Sequence, residues 1–255
     1  MTNNMKIISS EAIILRHLDY GEADRIVSFF TPDHGRLRGF ARSARKSRKR
    51  FGAALEPFSR VRMHWSPPSS GDLVRLREAE LLDLRAGLRS DLASIALAGY
   101  GCELIEELLG EEGEQGRAYA LLGAFLDHLA GHGAALETRF LFELRLLELA
   151  GYIPHLLHCS ECAAGLSGDE VAFDAARGGS LCLECAPPGT ALRVSPLTLG
   201  SLSRSLKSPL SNFAGFRFGS RTLDEGRAIL TGALRLHLHR PLRSLSFLER
   251  METGF

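Results

Sequence analysis

Along residues 6–85, apolar and polar positions alternate over short runs. "EAIILRH" (11–17), "RIVSFFT" (25–31), "GRLRGFARSA" (35–44), "PFSRVRMHW" (57–65) and "LVRLREAELL" (73–82) are rich in Val, Ile, Leu and Phe. In "RVRMHW", Val61, Met63 and Trp65 fall on the face opposite Arg60, Arg62 and His64, the period-two signature of a half-buried strand. Turn formers separate the runs at Asp19-Tyr20-Gly21, Pro32-Asp33-His34-Gly35 and 67–72. Five short strands so close together predict a small antiparallel barrel or sandwich.

After residue 86 the period lengthens to that of a helix. Ser90 is placed to cap a helix from Asp91, with Leu92, Ile95, Ala96, Gly99 and Cys102 on one face. Residues 114–131 and 136–150 repeat the pattern. The second is apolar enough to be largely buried, and Gly151 and Pro154 end it. Ser195-Pro196 reads as an N-cap with proline at the first helical position. Thr222 and Glu225 read as a capping box opening a helix to about Arg240. The predicted fold class is therefore α+β. Residues 1–85 form a five-stranded barrel domain, and 86–255 a mainly α-helical domain with an insertion at 155–190.

That insertion loses periodicity and carries two Cys-x-x-Cys pairs, Cys159/Cys162 and Cys182/Cys185, with residues 163–181 between them. This is zinc-ribbon spacing. Each pair aims two sulfurs at one point, and two pairs complete a tetrahedral thiolate shell at about 2.3 Å from one Zn²⁺. No position stays open for water or substrate, so the predicted metal is structural. The competing reading is four free or disulfide-paired thiols. His155 and His158 lie close, but four thiolates already fill the shell. Cys102, on an apolar helical stripe, reads as a small hydrophobe.

Charge changes the picture further. The chain has formal net charge +1, yet residues 1–85 carry 16 Lys and Arg against 10 Asp and Glu, while 86–255 carry 15 against 20. The excess is concentrated in Arg36, Arg38, Arg42, Arg45, Lys46, Arg48, Lys49 and Arg50, with no acid between His34 and Leu55. Eight close cations repel unless phosphates neutralise them. Arg36, Arg38, Phe40 and Arg42 share a strand face, 43–50 read as a flexible basic loop, and Phe51, Phe58 and Trp65 lie near in sequence. A barrel with this pattern fits the OB-type platform for nucleic-acid strands. A solvated basic loop or a localisation signal is the plainer alternative.

Other signals exclude or bound. An apolar fraction of 45% and a charged fraction of 24% are ordinary for globular proteins. No apolar run approaches the ~20 residues of a membrane span, and Met1–Lys6 shows no signal-peptide core, so a cytoplasmic protein is expected. There is no P-loop, no G-x-G-x-x-G and no H-E-x-x-H. Glu111, Glu112 and Glu114 read as a solvated helix end. His237 and His239 flank Leu238 and are not expected to share a metal.

Three stretches carry a family resemblance. Residues 14–61 combine an apolar strand, Tyr20-Gly21-Glu22, a strand ending in Thr31, Gly35-Arg36 and the basic segment. "FELRLLELAGYIPHLLHCSEC" (142–162) joins a helix, a Gly-Tyr-x-Pro turn and the first cysteine pair, and "HLHRPLRSLSFL" (237–248) closes a helix. In this order they resemble the RecO family of bacterial recombination mediators. The resemblance implies an OB-fold DNA-binding domain, a helical domain and a zinc finger, with no enzymatic activity. It implies binding of single- and double-stranded DNA, annealing of complementary strands, and loading of RecA with RecR onto coated single strands in the nucleoid. The implied partners are RecR and the acidic C-terminal tail of single-stranded-DNA-binding protein, received by the helical domain. Whether RecF joins is left open. The rival reading is a zinc-ribbon scaffold for protein partners, with incidental nucleic-acid binding.

Overall fold

The computed structural model describes residues 6–68, 71–110, 113–189 and 192–252. Ser69 and Ser70 of the predicted turn, and Glu111 and Glu112 of the acidic cluster, lie outside the described residues. Strands β1 (Ile8–Tyr20), β2 (Asp24–Thr31), β3 (Gly35–Ala41), β4 (Arg60–Ser66) and β5 (Val74–Asp83) close into a barrel of order β1-β2-β3-β5-β4. The sequence predicts an antiparallel barrel, but β3 and β5 are parallel. After β3 the chain crosses one end of the barrel through residues 44–58, and β4 then runs antiparallel to both β1 and β5, so β5 meets β3 in the same sense.

The alternation read in β4 holds: Val61, Met63 and Trp65 are buried, and Arg60 and Arg62 are exposed. β1 breaks alternation because both its faces are covered. Ala12 and Ile14 point into the barrel with Val27, Phe29 and Leu76. Ile13 and Leu15 join Phe30 and Phe58 in the core beneath the helices. Burying each large apolar side chain contributes about 1.5–3 kcal/mol. At the junction, buried Arg85 donates from Nε to Asp127 Oδ1 (2.7 Å) and from Nη1 to the Phe58 carbonyl (2.6 Å), tying the barrel's last strand to the helices.

Helices α1 (Leu92–Leu108), α2 (Gln115–His132) and α3 (Leu136–Leu149) pack together, and α4 (Pro196–Leu206), α5 (Ser220–His237) and α6 (Arg243–Glu252) pack around them. Several local expectations need correction. Asp91, not Ser90, caps α1: its side chain accepts from the Ala93 and Ser94 N–H groups, while Ser90 ends a preceding 3₁₀ turn. The expected stripe of α1 is only partly buried. Leu92 is exposed, and Leu97, Tyr100, Leu104, Ile105 and Leu108 line the core, because α2, α3, α6 and β1 surround this helix on several sides. Helix α5 starts at Ser220 on Gly219, so Thr222 and Glu225 are no capping box. Glu225 instead accepts from the Ser195 N–H and from Arg221. The Ser195 cap of α4 stands, its Oγ accepting from Leu197 N–H at 3.2 Å.

The apolar look of α3 conceals buried charge. Arg139 and Glu143 are both buried, with Arg139 Nε donating to Glu143 Oε1 at 2.7 Å. The Tyr100 hydroxyl donates to the same oxygen at 2.5 Å.

Candidate nucleic-acid face and metal centre

The outer face of β1–β2–β3 is built by register. Arg16, Ser28 and Arg38 lie in one cross-strand row, and Leu18, Ile26 and Phe40 in the next. Phe40 pairs onward with Arg75 of β5. Tyr20 extends the apolar row, its ring edge-on to Phe40 at 5.9 Å between centroids. Leu18 and Tyr20 are more than half exposed, at 52% and 57%, which is unusual for such side chains on a strand with nothing over them. Aromatic faces beside cations suit unstacked bases and their phosphates.

Of the eight predicted cations, seven are exposed and Arg50 is half-buried. Arg36, Arg38, Arg42, Lys46, Arg48 and Lys49 have no ion-pair partner among the described residues. Arg45 is engaged: it lies 3.6 Å from Asp19 and donates to the Glu22 carbonyl. Arg50 is structural. It donates to the Arg42 carbonyl (2.7 Å) and Ser47 Oγ (3.2 Å), and its guanidinium sits 5.0 Å from the Phe51 ring centroid. Residues 43–50 are therefore shaped, not the free loop expected. Ser43 N–H bonds Asp24 and Arg45 N–H bonds the Ala23 carbonyl, while buried Ala44, Phe51, Ala54 and Leu55 close the barrel end beneath. Phe51, Phe58 and Trp65 are core, so of the aromatics named from sequence only Phe40 reaches the face.

The opposite side of the barrel is balanced. There Arg62 pairs in register with Glu11 and Glu80, and His64 with Glu78. Arg36 and Arg38 also line a cleft of about 530 Å³ against the helices, across from the Arg16–Glu106 (2.8 Å) and Arg240–Glu107 (2.6 Å) pairs.

The insertion forms a small lobe seated on the helices: Val171, Phe173 and Val194 join the helical core, while Cys159, Ala172 and Leu181 make a small cluster of their own. A three-stranded sheet of order β7-β6-β8 comprises β6 (Val171–Asp174), β7 (Gly179–Leu181) and β8 (Leu192–Val194). It carries both cysteine knuckles. Cys159 N–H bonds the Ala164 carbonyl and Ala186 N–H bonds the Cys182 carbonyl, closing one turn at each pair. Gly179 (φ +130°) permits the approach of the 155 segment, since a Cβ there would lie 2.4 Å from the His155 carbonyl oxygen. Arg177 ties the knuckles, donating to the Cys185 carbonyl at 3.0 Å and to Glu161 at 2.6 Å.

The four Sγ atoms lie within 4.8 Å of one another. The Cys162–Cys182 separation is 3.7 Å. A tetrahedron with about 2.3 Å metal–sulfur bonds has an edge of about 3.8 Å, so the donor set fits one zinc-sized ion. Among the described residues this is the one cluster of three or more such ligands; His155 and His158 are not in it. The N–H groups of Cys162 and then Cys182 hold the Cys159 thiol down, at about 6, while contacts from the Cys182 and then Cys162 sulfurs push Cys185 up. Cys102 is buried in the core and its thiol is pushed up by desolvation, as expected of an inert site.

Sequence reasoning missed Arg16, Leu18, Tyr20 and Ile26. Their signal lies in register: the β1 strand runs three residues beyond the apolar run, carrying Leu18 and Tyr20 beside β2.

A closed five-stranded OB-type barrel with exposed cations along β3, followed by a helical region and a four-cysteine cluster, defines an α+β class of protein. Matches to family models agree. Residues 5–85 match "Recombination protein O N terminal" and residues 89–246 match "Recombination protein O C terminal". The chain is 55% identical over 250 residues to DNA repair protein RecO of Syntrophotalea carbinolica, covering 98% of this chain and 97% of that relative. It is 38% identical over 247 residues to DNA repair protein RecO of Geobacter sulfurreducens, covering 97% and 99%. The protein of the same name from Anaeromyxobacter sp. strain K is 38% identical over 259 residues, covering 97% and 98%. The chain belongs to the RecO family of DNA repair proteins.

Proposed function

We propose that this protein is a recombination mediator that binds single- and double-stranded DNA, anneals complementary strands and, with RecR, assists loading of RecA onto strands coated by single-stranded-DNA-binding protein. The observation that carries the reading is the group of six exposed cations without an ion-pair partner among the described residues, Arg36, Arg38, Arg42, Lys46, Arg48 and Lys49, beside the Tyr20–Phe40 edge. Phosphates of two strands neutralise these charges, which lowers inter-strand repulsion and lets bases pair. Tyr20, Phe40 and Leu18 supply a sequence-tolerant surface for unstacked bases. The reading contains no covalent step and assigns no catalytic residue.

Zn²⁺ is the metal that Cys159, Cys162, Cys182 and Cys185 would hold, supplying cohesion to the lobe rather than chemistry. Partner contacts with RecR and the acidic tail of single-stranded-DNA-binding protein, and a cytoplasmic, nucleoid-associated location, belong to the same proposal. Among the described residues no helix is long and apolar enough to cross a membrane.

One observation favours the scaffold reading as an addition. Leu157 and Leu183 of the cysteine lobe are exposed apolar side chains on a part of the chain with no cationic cluster. The test is strand annealing of complementary oligonucleotides by the full-length, zinc-loaded protein, with and without single-stranded-DNA-binding protein and RecR. Annealing is expected. A protein that binds RecR but never accelerates annealing would be a scaffold instead.

A further inference from the structure

We propose that the groove between α4 and the 207–219 loop is a second binding site, for single-stranded nucleic acid, separate from the barrel face. The inference rests on the reading of the chain as a DNA-binding protein and extends it to a second surface.

Residues 185–223 contain no acid and five cations: Arg193, Arg204, Lys207, Arg217 and Arg221. This stretch belongs to the acidic rear of the chain, so its one-sided charge stands out against its surroundings. Arg221 is paired with Glu225 (2.6 Å) and Glu170 (3.5 Å). Arg204, Lys207 and Arg217 are exposed and have no ion-pair partner among the described residues. Arg204 and Arg217 both line a groove of about 450 Å³ between α4 and the 207–219 loop. Gly200 and Ser201 of α4 give it room, and a Cβ on Gly200 would meet nothing within 4 Å. Phe216 and Phe218 form the other wall, both half-buried.

The wall is fixed from beneath. Arg145 of α3 is 1% exposed, and its guanidinium donates to the Leu210 carbonyl (3.2 Å), the Asn212 carbonyl (2.7 Å) and Ser208 Oγ (2.8 Å). It also lies 4.8 Å from the Phe213 ring centroid and 5.9 Å from that of Phe216. Arg145 makes no ion pair among the described residues and feels the Glu148 carboxylate only through space, so its part here is to fix the loop. A rigid loop presenting aromatic rings between free cations fits a nucleic-acid strand: phosphates take the cations and bases take the rings. Only unstacked bases can reach the rings, which selects single strands over duplex. Two such surfaces on one chain would let it hold two strands at once. Their pairing would then proceed at the high effective concentration of linked sites.

The test uses the full-length protein and an iodouracil-substituted thymidine oligonucleotide, crosslinked by light and mapped by mass spectrometry. Adducts are expected in 213–218 as well as on the Tyr20–Phe40 edge. Arg204→Glu with Arg217→Glu, both exposed and checked by an unchanged melting temperature, should abolish the first adducts and spare the second. It should also flatten the log–log salt dependence of binding by about 1.4, from about 0.7 per lost phosphate contact on a single strand. Arg38→Glu, Arg42→Glu and Lys46→Glu together should do the reverse. Adducts confined to the barrel edge, or a groove variant with unaltered salt dependence, would overturn this site and leave the barrel reading standing. Absence of both adduct sets would sink the DNA-binding reading itself. An Asp/Glu-rich peptide that binds through Arg204 and Arg217, with no oligonucleotide adduct in the groove, would assign the surface to a protein ligand and also overturn the proposal.

Discussion

Glu143→Leu is expected to remove a large part of the stability of the helical region. Its carboxylate is 1% exposed, accepts from Arg139 Nε at 2.7 Å, and receives the Tyr100 hydroxyl at 2.5 Å. Arg139 is itself 3% exposed, with its guanidinium 5.1 Å from the Tyr100 ring centroid. Deleting one member of a buried ion pair costs about 3–5 kcal/mol, because the charge that remains keeps its desolvation cost without its counter-charge. Against a typical total of about 5–15 kcal/mol this is severe. Tyr100→Phe, which removes one bond to a charged acceptor, should cost about 1.5–3 kcal/mol. Desolvation and then the Glu143 charge push the Tyr100 hydroxyl well above its ordinary pKa, so it remains a donor at every working pH. Urea unfolding followed by helical circular dichroism measures both, with the midpoint falling at constant slope. Arg139→Met combined with Glu143→Leu removes both charges and should recover most of the loss. A single Glu143→Leu variant within about 1 kcal/mol of the parent, or a double variant no better than the single, would refute the reasoning.

Four further outcomes are expected. Phe40→Ala and Tyr20→Ala should each weaken single-strand binding by about 1–3 kcal/mol in fluorescence anisotropy, with little effect on folding because Tyr20 is largely exposed and Phe40 half-buried. Co²⁺ added to the metal-free protein should give the thiolate charge-transfer band of a tetrahedral S₄ site, lost in Cys159→Ser and kept in Cys102→Ser; a band dependent on Cys102 would contradict the assignment. Gly179→Ala should lower metal affinity in a competitive chelator titration, because a Cβ meets the His155 carbonyl. Burial alone would raise the Glu103 carboxyl, but the Ser244 hydroxyl and N–H and the Arg243 N–H outweigh it and hold it below its ordinary value. The folded pKa is the lower one, so this contribution is complete above the unfolded value near ~4.3 and is lost as pH falls through the folded value. Glu103→Gln should therefore flatten the acid limb of a melting-temperature profile, and an unaltered limb would show that Glu103 does not anchor α6.

The barrel and the cysteine lobe were legible because each rests on local pattern. Period two in Val61, Met63 and Trp65, and the spacing of Cys159, Cys162, Cys182 and Cys185, are one-dimensional signals of three-dimensional constraints. The basic run was equally plain as charge. Its division of labour was not: Arg45 and Arg50 are engaged by Asp19, the Glu22 and Arg42 carbonyls and Phe51, contacts set by how 44–58 folds over the barrel end. The parallel β3–β5 pair follows from closure, which no strand's own pattern encodes. Buried Arg139, Glu143 and Arg145 were invisible because charge in a helix ordinarily marks its solvent face, and here tertiary partners override that prior. The α1 stripe misled for a related reason: a helix surrounded on several sides has no single apolar face.

The most direct test of the account is the salt dependence of single-strand binding by the full-length protein, compared with Arg38→Glu, Arg42→Glu and Lys46→Glu combined. Three lost phosphate contacts should reduce the log–log slope by about 2, at about 0.7 each, and weaken binding most at low salt. A slope equal to the parent's, with the fold intact, would contradict the claim that this cationic edge holds the DNA backbone.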